Sequence, residues 1–463
     1  MCRPLFLSIN FLENFNFEFD STICLIFNSL LPGMVSRMEN HLGLGIYKSL
    51  LLSYVTLIAP TENTDWQGTS KNPIRSTLAG ITSTPPSSSK TIINLGLGDP
   101  THYPLHPPPV AATTAACAAI QTERHNGYIN GIGSLPARQA IVDYHQKWDG
   151  VNYHADSVVL THGVGQALDL VFSVLFPHHS YGPSNILLPA PGFSQYSSLL
   201  ANLGTEVRYY DCVEEKDWEV DTKMLDSLCD ENTRAILITN PSNPCGSNFS
   251  KEHLSNILAI ADKHKIPIIA DEIYGHMTWS SPFIPLASIS ATVPVITLSG
   301  LSKRFLLPGW RVGWIALHDP LGVAEGIREG ITVWGNRFFG PSSIVQAALP
   351  EILATPSEYF DAVTAKVEKN AQIVHSGTSA INGLYTNMPA GALYMLIRIQ
   401  PAAFNLNDDV EFCTALYREE AVFVLPGLCF GAPGYFRVVL GAPAEIMTDV
   451  MERLSAFCDK HRV

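Results

Sequence analysis

The stretch LSGLSKRFLLPGWRVGW (residues 298–314) ends an apolar run and then presents a lysine, with an arginine eight residues after it. Residues 293–298 are mostly apolar and β-branched, which is typical of a buried strand. Lys303 comes shortly after that strand, and Arg311 follows it eight residues later. A lysine usually lies on the surface. Whether Lys303 does so depends on what the neighbouring strands bring beside it.

Apolar, β-rich runs of the same kind recur along the chain, with helical patterns between them. One such pattern begins at Ser250, a good helix cap, and places Leu254, Ile257 and Ala261 on one face. Strands that alternate with helices favour a mostly parallel sheet covered on both faces. We therefore predict an α/β fold with a seven-stranded sheet, whose strands lie at 157–161, 185–189, 206–212, 234–240, 266–274, 295–300 and 312–317.

The pattern changes after residue 350. Thr355 and Glu358 have the spacing of a capping box around Pro356, which predicts the start of a long helix. Three strands and a final amphipathic helix follow, as in a smaller α+β domain. We expect residues 66–110 and 355–463 to form that domain and residues 111–354 to form the large one.

Residues 1–65 differ from the rest, because they are rich in Phe, Leu and Asn. They lack an uninterrupted apolar run long enough to span a membrane and a small-residue signal-peptide cleavage site. We expect a poorly ordered extension, which leaves a mitochondrial or anchored form open. The chain carries nine cysteines without a CxxC pair, which favours reduced thiols in the cytoplasm. No membrane association is expected.

Charge and histidine spacing exclude several classes of binding partner. The formal net charge is -13, so a broad cationic surface for nucleic acid is not expected. The fifteen histidines show no metal-ligand spacing, so no metal site is expected.

Polar side chains follow several of the predicted strands. Asn243, Asp271, Tyr274 and Lys303 come where successive apolar runs end. In an open α/β sheet, ligands bind beyond the carboxyl ends of the strands, so these residues should converge. A buried Asp271 would be costly unless a cation meets it.

A lysine in such a place is suited to bond covalently to pyridoxal phosphate. That cofactor needs an acid at its ring nitrogen, donors to its phenolic oxygen, a stacking ring and a phosphate site. Asp271 can be the acid, Asn243 and Tyr274 the donors, and Phe193 the stacking ring. The phosphate site can be built from the amides of the strand-to-helix turn, a guanidinium and a hydroxyl, supplied by Gly163, Val164, Arg311 and Ser302.

The motifs of residues 65–463 resemble, in order, those of the class I, fold type I aminotransferases. The motifs are NPIR (72–75), LGLGDPT (95–101), NGYINGIG (126–133), PGFSQY (191–196), NPSNPCGSNFSKEHL (240–254), ADEIYG (270–275), SKRFLLPGWRVGW (302–314) and FRVV (436–439). The resemblance implies that Lys303 bonds to the cofactor and that Arg437 holds the substrate α-carboxylate beneath a loop containing Gly98. It also implies a homodimer with shared active sites, in which Tyr128 reaches the neighbouring subunit's phosphate.

The same resemblance implies transamination between an aromatic L-amino acid and 2-oxoglutarate, with tyrosine as the first choice of amino donor. An alanine-type aminotransferase and a carbon–sulfur lyase of the same fold stay open as alternatives. Arg75 and Arg337 could bind a distal carboxylate of the substrate or form structural ion pairs. A nicotinamide dehydrogenase is disfavoured because Leu168 replaces the third glycine of GxGxxG. A serine hydrolase is disfavoured because GFSQY lacks the second glycine of a nucleophile elbow.

The chain departs from the family pattern at two places. His162 and Val164 stand where relatives often carry small hydroxyl or thiol side chains, so phosphate contacts there should come from the backbone. Gly300 lacks the hydroxyl found in many aspartate-type relatives. We expect looser cofactor binding at most.

Overall fold

The computed structural model describes residues 72–176 and 183–463. The predicted N-terminal extension, residues 1–65, lies outside these ranges. The described residues form one compact unit. No helix within them is long and apolar enough to cross a membrane.

Strands and helices alternate through the first two thirds of the described chain. The strands are β1 (Ile93–Asn94), β2 (Val158–Thr161), β3 (Asn185–Ala190), β4 (Glu206–Val213), β5 (Glu219–Val220), β6 (Thr233–Thr239), β7 (Ile268–Asp271), β8 (Val295–Gly300), β9 (Gly313–His318), β10 (Leu384–Tyr385), β11 (Tyr394–Ile399), β12 (Val422–Phe423), β13 (Leu425–Pro426) and β14 (Tyr435–Val439). The α-helices are α1 (Pro73–Thr82), α2 (Val110–Gln121), α3 (Leu135–Asp149), α4 (Val164–Leu175), α5 (Gln195–Leu200), α6 (Thr222–Leu228), α7 (Lys251–His264), α8 (Leu286–Ile289), α9 (Glu325–Gly335), α10 (Ser343–Leu353), α11 (Ser357–Ser379), α12 (Asp409–Glu420) and α13 (Ala444–His461).

The large sheet has the strand order β2-β9-β8-β7-β6-β3-β4-β5. Neighbouring strands from β8 through β4 run parallel, whereas β9 is antiparallel to both β2 and β8. All seven predicted strands are confirmed. An eighth strand, the two-residue β5, lies at the edge antiparallel to β4 and was not predicted, because two residues are too few to show a pattern.

Side chains of the central strands alternate between two apolar cores. In β6, Ile236 and Ile238 pack with α3, α7 and α10, whereas Ala235 and Leu237 pack with α4 and α9. The expectation that helices cover both faces is therefore confirmed. Helix α7 begins where predicted, since the Ser250 hydroxyl oxygen accepts a hydrogen bond from the His253 N–H at 3.2 Å.

A smaller antiparallel sheet, β10-β11-β14-β13, lies in the C-terminal part of the chain. Helices α11, α12 and α13 bury their apolar faces in its core. Strand β1 pairs in parallel with β12, so residues near 93 contact the C-terminal part of the chain. The domain boundaries at 110 and 354 stay a prediction.

The predicted capping box at Thr355 is wrong. Helix α11 begins at Ser357, after Pro356, and no side chain caps its first turn. The Thr355 hydroxyl instead donates to the Ile352 carbonyl at 2.6 Å, at the end of α10. Only Ala354 to Pro356 separate α10 from α11, so the Thr355 hydroxyl is within reach of the end of α10 and bonds there.

Candidate active site

The carboxyl ends of β6, β7 and β8 share one edge of the large sheet, where a cleft of about 380 Å³ opens. Asp271 ends β7, whereas Asn243 and Lys303 follow β6 and β8. Tyr394 of β11 and Arg437 of β14 line the cleft from the smaller sheet. Gly163, Tyr128 and Arg337 do not line this cleft. The other predicted site residues do, namely Arg75, Gly98, Val164, Phe193, Asn243, Asp271, Tyr274, Ser302, Lys303, Arg311 and Arg437.

Lys303 presents its amine inside the cleft and is not a surface lysine. The side chain is half-buried, and its amine donates to the Gly98 carbonyl oxygen. The amine also lies 5.9 Å from the centre of the Tyr274 ring. Lys303 is thus held between the end of β8 and the loop at residues 96–98.

Asp271 is the buried acid of the site, with only 4% of its surface exposed. Burial raises the pKa of this carboxyl to about 6, although a hydrogen bond from Tyr196 opposes the shift. The Tyr196 hydroxyl donates to Asp271 Oδ2 at 2.7 Å and lies 2.8 Å from the Thr239 hydroxyl. Sequence reasoning missed Tyr196, although its position three residues after Phe193 places both on one side of the turn into α5.

We expect Asp271→Asn to stabilise the cofactor-free protein at pH 7 by on the order of 2–3 kcal/mol. A carboxyl whose pKa rises on folding binds more protons in the folded state between its two pKa values, so stability falls as pH rises from about 4 to 6. Asparagine carries no charge and can still accept from Tyr196. Urea unfolding at pH 7 and pH 3.5 measures the effect, which should vanish at the lower pH.

Asp149→Asn is the matched control for this prediction. Asp149 is buried too, but hydrogen bonds and charges from His145 and His276 outweigh its burial, so its pKa falls below the usual range. The sign therefore reverses, and Asp149→Asn should lose stability at pH 7. Equal effects of the two substitutions would contradict the electrostatic account of Asp271.

Arg437 is a buried cation without an ionic partner among the described residues. Its surface is 2% exposed, and its Nη1 and Nη2 donate to Asn243 Oδ1 at 2.9 Å and to the Gly96 carbonyl at 2.7 Å. Its Nε has no hydrogen-bond partner in the described part of the chain, and burial lowers the pKa of the guanidinium. The rings of Tyr394 and Phe430 each lie 4.4 Å from it. A buried, unpaired guanidinium is costly, so an anion that enters the cleft here would be bound strongly.

The second cationic end of the cleft is the start of α4. Among the described residues, the Arg311 guanidinium donates only to backbone carbonyls, those of Pro308 at 2.9 Å and His162 at 3.2 Å. A side-chain carbon on Gly163 would lie 2.5 Å from Arg311 Nη2, which together with a φ of 77° explains the glycine. Uncapped amides and a guanidinium are suited to a phosphate group.

The Gly163 amide has a partner within the protein, and its predicted contact with phosphate stays a prediction. That amide donates to the Thr161 carbonyl at 2.8 Å, and Gly163 does not line the cleft. Val164 and Gly165 line it instead, in the first turn of α4, where no side chain caps the helix. A sequence pattern shows that a helix begins near 163 but not which amide is already used.

Close packing of two strands explains why residue 300 is a glycine. It pairs with Gly313 across β8 and β9, and a side-chain carbon at 300 would lie 2.6 Å from the Val312 carbonyl oxygen. The missing hydroxyl is therefore explained by the close approach of two strands. Ser302 lines the cleft and is left as the hydroxyl on this side.

The remaining predicted residues lie at the edges of the site or away from it. Phe193 is half-buried in the cleft wall, with its ring 5.6 Å from that of Tyr196. Arg75 is exposed at the mouth, at the start of α1, and forms no ion pair with any described residue. Arg337 stacks on Trp334 away from the cleft. Tyr128 is 96% exposed and touches Phe339, so its proposed role across a dimer stays a prediction.

These features fit a cofactor with a ring, a basic ring nitrogen and a phosphate group. The buried Asp271 can pair with the nitrogen, and Phe193 offers a ring face. The cationic turn at 163–165 and Arg311 can hold a phosphate, while the unpaired Arg437 is left for a substrate anion. No cluster of His, Cys, Asp and Glu in the described ranges is arranged to hold a metal ion.

Comparison with known proteins agrees with this geometry. Residues 90–454 match the family described as aminotransferase class I and II. Tyrosine aminotransferase of Mus musculus is 40% identical over 394 residues, or 84% of this chain and 86% of that protein. S-alkyl-thiohydroximate lyase of Arabidopsis thaliana is 36% identical over 383 residues, or 81% of each chain.

A solved structure extends the likeness to three dimensions. The crystal structure of tyrosine aminotransferase from Leishmania infantum has a TM-score of 0.82 and 30% sequence identity, and the match covers 87% of this chain and 99% of that one. On the family match and these relatives, the chain belongs to the class I and II aminotransferases and is an enzyme that transfers amino groups.

Proposed function

We propose that the enzyme uses pyridoxal phosphate to move the amino group of L-tyrosine, or a related aromatic amino acid, to 2-oxoglutarate. The products are 4-hydroxyphenylpyruvate and glutamate, formed in two half-reactions. The observation that carries the proposal is the buried, unpaired guanidinium of Arg437 in the same cleft as Lys303 and Asp271. Mammalian, nematode and protozoan relatives named tyrosine aminotransferase support the choice of donor.

Residues of the large sheet would hold the cofactor. Asp271 would pair with the ring nitrogen and keep it protonated, because a buried carboxylate favours a cation beside it. Asn243 and Tyr274 donate to the phenolic oxygen, and Phe193 stacks on the ring. Val164, Gly165, Ser302 and Arg311 bind the phosphate. When bound, pyridoxal phosphate supplies an electron sink and a carrier for the amino group.

Lys303 and Arg437 act on the substrate. Arg437 binds the α-carboxylate through its planar fork, which places the amino group and the Cα–H bond toward Lys303. The Lys303 amine would anchor the cofactor and would also be the base in reach of the substrate Cα proton. The loop at 96–98 lies beside this amine, since its Gly98 carbonyl accepts a hydrogen bond from Lys303.

The acceptor, 2-oxoglutarate, carries a second carboxylate. Arg75, a cation at the mouth of the cleft, would bind it. Its exposure and lack of an ion-pair partner in the described part of the chain favour substrate binding over a structural role. We further propose a cytoplasmic homodimer, in which Tyr128 of each subunit completes the phosphate site of the other.

An amino-donor panel with 2-oxoglutarate tests the substrate. We expect kcat/KM for L-tyrosine to exceed that for L-alanine by at least about tenfold, since a ring buried in the cleft adds apolar contact. A preference for alanine would contradict the aromatic assignment. The Arabidopsis lyase keeps a second candidate open: release of a thiol and pyruvate from a cysteine conjugate, without any oxo acid, would favour that reaction.

A further inference from the structure

Arg304, the residue after Lys303, points away from the cleft and into a ring of aromatic side chains. Lys303 lines the cleft, whereas Arg304 is 4% exposed and packs between helices α3 and α11. Its guanidinium carbon lies 4.0 Å from the ring centres of both Trp148 and Phe360, and its Nη1 donates to the Tyr144 hydroxyl oxygen at 2.6 Å. Together these three side chains form an aromatic clamp around the guanidinium.

The burial of Arg304 is costly. Its side chain forms no ion pair with any described residue, and its Nε has no hydrogen-bond partner among them. Tyr144 supplies no negative charge, because burial raises the pKa of its phenol despite the charge of Arg304. An apolar side chain of similar length would avoid the cost of a buried, unpaired cation. Stacking on two rings offsets part of this cost and also fixes the plane of the guanidinium, so Arg304 is better suited to holding a fixed geometry than to adding stability.

The turn that joins Lys303 to the aromatic clamp is buried and strained. Residues 304–307 are each at most 4% exposed. The Leu306 N–H donates to the Lys303 carbonyl at 3.1 Å, and Leu306 has a φ of 55°, which is unfavourable for a bulky residue. Such a conformation persists only where surrounding contacts hold it. The clamp on Arg304 supplies contacts of this kind next to the lysine.

The loop after β7 is anchored to the same end of α3. His276 follows Tyr274 by two residues and has a φ of 62°. Its Nε2 lies 2.6 Å from Oδ1 of Asp149, the last residue of α3, and its ring lies 5.7 Å from the Trp148 ring of the clamp. No residue of α3 lines the cleft. The loops that carry Tyr274 and Lys303 are thus both held from behind by the C-terminal part of α3.

We propose that Arg304 is a positioning residue for Lys303. The aromatic clamp holds Arg304, and Arg304 holds the backbone of Lys303 so that the lysine amine points into the cleft. A displacement of a reacting atom by about 1 Å can slow a reaction by roughly 10²-fold. Loss of the clamp should therefore slow the reaction of the amine without weakening the binding of the cofactor phosphate. The inference rests on Lys303 being the amine that bonds to the cofactor in the proposed function, but not on the identity of the amino donor.

The rate at which pyridoxal phosphate bonds to the cofactor-free full-length protein tests the proposal apart from turnover. The Lys303 nitrogen bonds to the aldehyde carbon of the cofactor with loss of water, and a visible absorption band reports the bond. The half-saturating cofactor concentration reports initial binding, whereas the rate at saturation reports the approach of the amine. We expect Arg304→Met to lower the saturating rate about tenfold with little change in the half-saturating concentration. Arg304→Lys keeps the charge but not the planar group, so its rate should lie between those of the wild type and Arg304→Met.

Two substitutions on α11 separate the aromatic clamp from general packing. Phe360→Leu removes one ring and should slow bond formation in the wild type but not further in Arg304→Met, because the ring acts through the cation. Val363→Ala lies on the same helix in a different apolar core and should leave the saturating rate unchanged.

A saturating rate that is unchanged in Arg304→Met, or that falls equally in Val363→Ala, would overturn the proposal. If Arg304→Met does not fold, Phe360→Leu decides, since a normal rate in that variant would also overturn it. Absence of the band in the wild type would contradict the proposed function itself, and this inference with it. Failure of the amino-donor assignment alone would leave all of these rates unchanged.

Discussion

Lys303→Ala should lower the rate of transamination by at least roughly 10⁴-fold, to the background of the assay. The variant loses both the amine that anchors the cofactor and the base that moves the Cα proton, and no other lysine lines the cleft within the described chain. Steady-state assays with tyrosine and 2-oxoglutarate measure the loss. The substrate α-carboxylate should still bind, because Arg437 is untouched.

Lys366→Ala is the control for this substitution. Lys366 also donates its amine to a backbone carbonyl, that of Leu105 at 2.8 Å, but it lies on α11 away from the cleft. Its removal should leave kcat unchanged. A Lys303→Ala variant that kept more than about a hundredth of wild-type activity would contradict the role given to Lys303.

Arg437→Ala should lower kcat/KM a hundredfold or more. Removing one partner of a buried, charge-assisted contact costs roughly 2–5 kcal/mol, and the substrate carboxylate would be left unpaired. The loss should be similar for every amino acid and oxo acid, because all of them carry the α-carboxylate. Arg437→Lys keeps the charge but not the planar fork, so its activity should lie between the two.

Arg398→Ala separates this effect from a general loss of charge. Arg398 lies on β11 of the same small sheet and pairs with Glu214 at 3.2 Å. Because Arg398 does not line the cleft, kcat/KM should hardly change. A near-normal kcat/KM in Arg437→Ala would show that another group binds the α-carboxylate.

The residues that the sequence located best are those at the ends of buried strands. Asn243, Asp271 and Lys303 could be found because apolar runs mark the strands and parallel strands bring their carboxyl ends to one edge. The large sheet followed from the same runs, and among its described strands only the two-residue β5 was not predicted. Motif resemblance added Arg437, which periodicity could not have placed opposite Lys303.

What escaped prediction depends on contacts between distant segments. In the sequence, Tyr196 and Tyr394 look like ordinary buried aromatic residues. The structure shows their hydroxyls hydrogen-bonded to Asp271 and Tyr274, respectively. Thr355 has the spacing of a helix cap, but its hydroxyl donates to a carbonyl of the preceding helix. In the sequence, Gly300 lacks a hydroxyl that could contact the phosphate. The structure shows that the approach of β9 leaves no room for a side chain there. The sequence alone gives none of these distances.

The most direct test of the central claim is the visible absorption spectrum of the protein loaded with pyridoxal phosphate, before and after L-tyrosine is added without any oxo acid. The account predicts a band from the lysine-bound cofactor that tyrosine replaces with the spectrum of the pyridoxamine form, and 2-oxoglutarate should then restore it. A protein that shows no such band after loading would contradict the assignment of Lys303 and Asp271 to the cofactor. A band that tyrosine leaves unchanged would contradict tyrosine as the donor.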